Sequence, residues 1–224
     1  MVKLNFFTFL FFLLLSLASL SQGLSVSYLI PQNGQLAAPV SPFSVRGLRL
    51  PLLNNMGIQT GGTLYIFPGL PVEGLPFSSE ESLRGASLGL ILPVEAYVGF
   101  KSNGVQVLFS GGVFGIGFFN NRINQGHWDR AIRDFYEWDL VNGELQLDNR
   151  LGYGWISGIS IDIPITRKYA LSFGVNYLSA QVNSPIGGII EGITSSNQRI
   201  NETLDYNDAY TLLQGLEISL GVSL

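Results

Sequence analysis

The chain has few side chains that could carry out nucleophilic or acid–base chemistry. His127 is the only histidine, no serine lies within four positions of it, and the chain contains no cysteine. The lack of cysteine excludes disulfides, thiolate metal sites and a cysteine nucleophile. The carboxylates do not have the spacing of an EF-hand loop. We therefore expect no enzymatic activity, no cofactor and no dedicated metal site.

A set of charged residues lies in segments where apolar residues alternate with small or polar ones. The set is Arg46, Glu95, Asp162 and Glu217. Its three carboxylates share the parity of the small and polar residues, and charges on a buried face must be paired or hydrated. We predict an internal polar cluster with Arg46 as the counter-ion, which either packs the interior or gates protons or small solutes. The pattern changes phase at Gly47, so the face of Arg49 stays open.

Aromatic residues cluster in one long polar segment, 120–146. Its first half carries Trp128, Ile132, Phe135 and Tyr136 at helical spacing, which predicts a helix. Asn142-Gly143 predicts a β-hairpin between strands 138–141 and 144–147. The candidates for a contact surface to a protein or glycan partner are Trp128, Phe135, Tyr136 and Trp138. The alternative is that these rings pack the segment onto the rest of the fold.

The composition is unusual for a soluble enzyme. Only 12% of the residues are charged, against about a quarter in soluble domains, and the mean hydropathy is +0.31. Residues 1–21 are predicted to be a signal peptide, because Lys3 precedes a Phe- and Leu-rich run that ends in small residues. Beyond it, glycine, proline or a charge interrupts every apolar run, so no spanning helix is predicted. The net charge of −4 argues against a nucleic-acid partner.

Residues 22–224 form one predicted domain built from β-strands. In the last segment Leu216, Ile218 and Leu220 alternate with Glu217 and Ser219. Backbone groups inside a bilayer must all be paired, so an apolar chain without spanning helices predicts a closed β-barrel. The predicted strands are 24–30, 43–53, 57–67, 85–100, 105–119, 147–165, 169–182 and 210–224. This count of eight leaves ten strands as an alternative.

Short and long connections between these strands alternate along the chain. The short ones are 54–56, 101–104 and 166–168, and the long ones are 31–42, 68–84, 120–146 and 183–209. In this pattern the chain resembles the small eight-stranded outer-membrane β-barrel proteins of Gram-negative bacteria. The predicted fold class is therefore all-β, a transmembrane up-and-down antiparallel barrel with short periplasmic turns and long extracellular loops.

The aromatic residues near the strand ends predict two interfacial girdles. The outer girdle is Phe67, Phe119, Tyr153, Trp155, Tyr177 and Tyr210, and the inner one is Phe100 and Tyr169. The resemblance implies a place in the bacterial outer membrane, reached through the periplasm. It also implies contact with outer-membrane lipid and lipopolysaccharide, and with the barrel-assembly machinery. Members of the class commonly end in an aromatic residue, whereas this chain ends in Leu224.

An eight-stranded barrel is just wide enough to be filled by its own side chains, so a wide aqueous channel is not expected. We expect an envelope scaffold or a surface-interaction protein that acts through its extracellular loops. One alternative is a narrow transport barrel for small or apolar solutes. A second alternative is an outer-membrane lipid-modifying enzyme in which His127 is the base.

Overall fold

The computed structural model describes residues 23–32, 39–119, 122–148 and 150–223. Eight antiparallel strands close into a barrel. They are β1 (Gly23–Pro31), β2 (Val40–Leu53), β3 (Met56–Phe67), β4 (Ser87–Ser102), β5 (Val105–Phe119), β7 (Gly152–Pro164), β8 (Ala170–Asn183) and β11 (Tyr210–Ser223). Their order around the barrel is β1-β11-β8-β7-β5-β4-β3-β2. The predicted fold class and strand number are confirmed, whereas the predicted signal peptide and Leu224 lie outside the described residues.

The connections alternate in length as predicted. Residues 54–55, 103–104 and 165–169 form short turns at one end of the barrel. The other end carries the long connections 32–39, 68–86, 120–151 and 184–209. Strand β1 begins and strand β11 ends at the short-turn end, where Gly23 pairs with Ser223. The pairing of these two strands closes the barrel.

The barrel exterior is apolar, and most of the side chains that point into the barrel are buried. In β11, Leu216, Ile218, Leu220 and Val222 are 43–48% exposed, whereas Glu217 between them is buried. This alternation is the period of two that a lipid-facing strand requires. Among the described residues, no helix has the length and hydropathy needed to span a membrane.

The aromatic rings that were predicted to form the two girdles are all at least partly exposed except Phe67. Tyr153 and Trp155 are exposed at the long-loop end, and Phe100 and Tyr169 at the short-turn end. Phe67 is instead fully buried inside the barrel. Its parity along β3 places it on the inner face, although its height along the strand matches the girdle.

Two of the long connections contain a second folded unit, which we call the loop module. It consists of α1 (Gln125–Tyr136), β6 (Trp138–Leu147), β9 (Ile186–Thr194) and β10 (Arg199–Tyr206). The three strands form a separate sheet in the order β10-β9-β6. Because they do not join the barrel sheet, the barrel has eight strands. Helix α1 confirms the prediction of a helix in this segment. The barrel strand that was predicted over 147–165 begins only at Gly152.

The hairpin predicted at Asn142-Gly143 is wrong. Both residues lie within the continuous strand β6, where Asn142 pairs with Glu191 and Gly143 with Ile190. The pairing partner, β9, comes from a connection about fifty residues further along the chain, so local turn preference is overridden by a long-range ladder. Asp129 of α1 also accepts a hydrogen bond from the Gly143 N–H at 2.9 Å.

Two hydrophobic cores result. The lumen core fills the long-loop half of the barrel and includes Tyr65, Phe67, Phe114, Phe118 and Leu178. The module core packs α1 against the three-stranded sheet and includes Trp128, Ile132, Trp138, Ile190 and Leu204. The protein therefore has a packed barrel and a separately packed unit at its long-loop end.

Candidate functional site

A bulge in β2 turns two arginines into the barrel. The ladder between β2 and β3 shifts between Val45 and Leu48, so two residues of β2 stand opposite one of β3. Gly47 adopts φ +74°, a conformation that favours glycine. Because the bulge changes the parity of the strand, Arg46 and Arg49 both reach the interior despite their odd spacing.

Arg46 pairs with Glu217 of β11. Its Nη2 donates to Glu217 Oε2 at 2.6 Å, and the Glu217 side chain has no solvent exposure. Thr63 Oγ1 accepts from Arg46 at 3.3 Å and lies 2.8 Å from Ser44 Oγ. The guanidinium is therefore held by one ion pair and a small group of hydroxyls.

Arg49 reaches Asp162 on the opposite wall of the barrel. Both terminal nitrogens of Arg49 donate to Asp162 Oδ2 at 3.1 Å. In the strand order, β2 and β7 are four steps apart in either direction. This ion pair thus spans the full width of the interior.

Glu95 of β4 is held by neutral groups. Its Oε2 accepts hydrogen bonds from Ser110 at 2.6 Å and from Gln59 at 3.4 Å. Among the described residues, no basic side chain forms an ion pair with it, although Arg46 acts on it electrostatically at longer range. The three buried carboxylates therefore have three different sets of partners, and Arg46 directly pairs with one of them.

Sequence reasoning did not assign Arg49, Gln59 or Ser110 to this group. The inward parity of β3 and β5 was available as a signal for Gln59 and Ser110. No comparable signal existed for Arg49, since its inward direction depends on the bulge at Gly47.

A small cavity lies among these polar side chains in the short-turn half of the lumen. Its volume is about 60 Å³, and Arg46, Arg49, Glu95 and Asn176 line it together with small residues. A space of this size and polarity holds a few water molecules. It is far smaller than the pockets of several hundred cubic ångströms that bind small organic ligands.

The long-loop half of the lumen is closed by aromatic rings. Phe67 packs edge-to-face on Phe118 with 5.3 Å between ring centroids, and Tyr65 lies 5.6 Å from Phe67. Gly89 makes room for this layer, because a Cβ there would lie 2.5 Å from the Phe67 ring. Above the layer, the buried Arg84 places its guanidinium 4.1 Å from the centre of the Phe118 ring. Burial lowers the pKa of Arg84 to about 10.

His127 ties the loop module to the connection between β3 and β4. Its Nδ1–H donates to Ser82 O at 2.8 Å, so Nε2 is the acceptor that faces the Asn124 amide at 3.2 Å. Glu81 lies 3.8 Å from Nε2 and forms a closer pair with Arg130 at 2.7 Å. These contacts describe a structural tether between loop segments.

Neither a nucleophile elbow nor a cluster of metal ligands is found among the described residues. Residues 85–89 have the Gly-x-Ser-x-Gly spacing of a nucleophile elbow, but Ser87 is buried and begins the barrel strand β4. A nucleophile elbow needs an exposed serine between a strand and a helix. In the described part of the chain, no three His, Asp or Glu side chains are grouped so that they could hold a metal ion.

The four loop aromatics do not form one exposed surface. Trp128 and Trp138 are buried in the module core, and the Trp128 indole N–H donates to Leu83 O at 3.0 Å. Tyr136 stacks on Trp138 at 5.1 Å and is partly exposed, whereas Phe135 is 44% exposed. The prediction of a contact surface that includes all four rings is corrected, because Trp128 lies on the face of α1 that packs on the sheet and Trp138, the first residue of β6, packs into the same core.

Charge is strongly polarised along the barrel axis. The long connections carry thirteen of the sixteen carboxylates of the chain against six arginines. Among the described residues at the short-turn end, Lys101, Arg167 and Lys168 are exposed and basic, and the Asp162 carboxylate nearby is paired with Arg49. The long-loop end is therefore an acidic surface, with the loop module as its largest part.

No protein-family model matches the chain, and no curated protein matches its sequence. Among solved structures the chain is similar to the outer membrane protein OprG from Pseudomonas aeruginosa, with a TM-score of 0.53 and 10% identity over 89% of this chain and 94% of OprG. It also aligns with a major outer membrane protein from Thermus thermophilus, with a TM-score of 0.40 and 12% identity over 91% and 97% of the two chains. The chain has the fold of an outer-membrane β-barrel, with an apolar exterior of the kind that faces lipid.

Proposed function

We propose that this protein is an outer-membrane scaffold that displays the loop module outside the cell for contact with a protein or glycan partner. The observation that carries the proposal is the second hydrophobic core, which is built from residues of three different long connections. Loops that only joined strands would not need a core of their own. The barrel then serves as the anchor and the module as the working part.

The packing of the lumen supports a scaffold over a transport barrel. Phe67, Phe118 and Arg84 close the long-loop half, and the Arg49–Asp162 ion pair crosses the other half. The apolar exterior of the barrel supports contact with outer-membrane lipid and, near the long-loop end, with lipopolysaccharide. Assembly into the membrane would use the barrel-assembly machinery, which acts on strands with this alternation.

The module offers two kinds of contact group. Phe135 on α1 is exposed, and so are Leu140 and Ile189 on the face of the sheet that is turned away from the helix. Acidic residues surround them, among them Glu144 and Glu191. Exposed apolar side chains with an acidic rim favour a partner surface that combines apolar groups with positive charge.

Conductance in planar bilayers separates the scaffold from the transport alternative. We expect the purified wild-type barrel to produce no conductance steps above the lipid background. Steady conductance, or swelling of proteoliposomes in small solutes, would favour a narrow transport barrel for small or apolar solutes instead.

Surface contact is tested by photo-crosslinking on intact cells. A photoreactive phenylalanine at Leu140 or Phe135 should form discrete adducts, whereas the same probe at Phe100 in the membrane belt should label lipid. If the probes in the loop module gave the same crosslinked products as the probe at Phe100, the result would count against a displayed contact surface. Lipid-product analysis of the wild type and His127→Ala tests the enzyme alternative, and we expect the two lipid profiles to be identical.

A further inference from the structure

The sheet of the loop module has one closed edge and one open edge. On β6, Gln125 of α1 donates to Leu145 O at 3.1 Å, and Asp129 of α1 accepts from the Gly143 N–H at 2.9 Å. These two side chains satisfy backbone groups that would otherwise face outward. The helix therefore blocks strand addition at the β6 edge.

The opposite edge, β10, has no such cover in the part of the chain that the structure describes. β10 pairs with β9 through eight consecutive residues without a register shift, and with no other described strand. It contains no proline and no bulge, and Arg199, Asn201, Glu202, Thr203 and Asp205 are exposed. A regular edge of this length presents a row of unpaired N–H and C=O groups to another strand.

The residue order of β10 is complementary to itself. When two copies of the strand run antiparallel with Glu202 at the centre, Arg199 of each stands opposite Asp205 of the other. Opposite charges at directly facing positions stabilise a strand pair. Each interface of this kind contains the Arg–Asp pair twice.

The apolar residues of β10 fit the same register. Ile200 stands opposite Leu204, which belongs to the module core, and Ile200 itself packs against that core. Pairing in this register therefore places two Ile200–Leu204 pairs on the core side of the new sheet. The opposing cost is at the centre, where the two Glu202 side chains meet on that same side, between the apolar pairs, and each carboxylate must keep the contact with water that it has in the single copy.

We propose that β10 pairs with β10 of a second copy of this chain, antiparallel and centred on Glu202, to form a six-stranded sheet outside the membrane. The acidic surfaces of two copies repel at long range, but salt screens that repulsion within about 8 Å at physiological ionic strength. Contacts along the strand then decide the association. The proposal does not depend on the scaffold function proposed above.

The test uses the lack of cysteine in the chain. The full-length protein in proteoliposomes carries Glu202→Cys at the proposed two-fold axis or, as a control, Asn142→Cys on the exposed face of β6. Under mild oxidation we expect a covalent dimer from Glu202→Cys and a monomer from Asn142→Cys. Equal crosslinking at both positions, or none at Glu202→Cys, would overturn the proposal.

Charge variants test the register independently of the disulfide. Asp205→Arg places like charges opposite each other and should lower dimer affinity about tenfold or more. Adding Arg199→Asp restores opposite charges and should recover the affinity, and Glu202→Gln should raise it because the central repulsion is removed. A double variant that dimerises no better than Asp205→Arg would overturn the register. A heat-dependent gel shift confirms that each variant has a folded barrel.

Discussion

Arg49 on β2 and Asp162 on β7 meet across the full width of the barrel, with both terminal nitrogens of Arg49 3.1 Å from one carboxylate oxygen. Their strands are four steps apart around the barrel in either direction, so the pair braces opposite walls. Asp162→Ala leaves the arginine charge buried without its partner and should lower the free energy of unfolding by about 3 kcal/mol. Urea unfolding of the barrel in lipid vesicles measures this loss.

The matched controls for this pair are a replacement of both partners and an exposed ion pair. Arg49→Met with Asp162→Leu removes both charges and should recover most of the stability. Arg133→Ala breaks the exposed pair with Asp134 and should cost less than about 1 kcal/mol. An Asp162→Ala protein as stable as Arg133→Ala would show that the cross-barrel pair does not brace the fold.

Gly47 is predicted to be the residue that makes the two inward arginines compatible. Its φ of +74° costs other residues about 1 kcal/mol or more, so Gly47→Ala should destabilise the barrel by that amount and Gly47→Val by more. Gly115→Ala is the control, because its added methyl group would meet no atom within 4 Å. Equal unfolding free energies for Gly47→Val and Gly115→Ala would contradict this role.

The aromatic layer is predicted to close the lumen. Truncating both rings in Phe67→Ala with Phe118→Ala removes the edge-to-face contact and opens a path for water above the polar half. We expect conductance steps in planar bilayers from this variant and none from the wild type. Phe100→Ala removes an exterior ring and should stay silent. A silent double variant would show that the polar half closes the barrel by itself.

The loop module is predicted to unfold separately from the barrel. Trp128 is fully buried in the module core, so Trp128→Ala should cost the module about 3 kcal/mol or more. Protease added to intact cells should then cleave within 122–148 or 184–209, while the barrel keeps its heat-dependent gel shift. Phe135→Ala, at an exposed position on the same helix, should remain resistant. Loss of the gel shift in Trp128→Ala would contradict the separation.

Tyr206 is predicted to make the loop module sensitive to alkaline pH. Burial, together with the neighbouring Tyr136, raises its pKa from 10.0 to about 12. Because the folded-state pKa is raised, the stabilising contribution is complete below pH 10 and is lost as the pH rises towards 12. When tyrosinate absorbance is followed against pH, the absorbance difference between the wild type and Tyr206→Phe should have its midpoint near pH 12. A midpoint near pH 10 would mean that the hydroxyl is solvated in the folded protein.

The barrel was predictable because lipid and lumen impose a period of two on every strand. Glu95, Asp162 and Glu217 lie inside the barrel, on the parity that the alternation assigns to the interior. Their partners were less accessible to sequence reasoning. Gln59 and Ser110 lie on β3 and β5, on either side of the strand that carries Glu95, so the pairing and register of three strands must be known before these residues can be assigned to it.

The loop module shows where local pattern stops being informative. Helical spacing predicted α1, since a helix depends on residues three and four positions apart. The same spacing did not indicate which residues would cover the apolar face of the helix. Trp128 and Trp138 were expected on the surface, but they are buried in the module core against residues of β9 and β10. Asn142-Gly143 failed as a turn because its backbone groups found partners on β9 and on Asp129.

By itself the sequence determined the strand number, the two kinds of connection and the apolar exterior, because each depends on the period of one strand or the length of one segment. Tertiary structure decided which charges pair and which aromatic rings are buried. Arg49 meets Asp162 only through a bulge and a closed barrel. Trp138 is buried only because a strand from another loop pairs beside it. These contacts join residues far apart in the chain, so no local pattern encodes them.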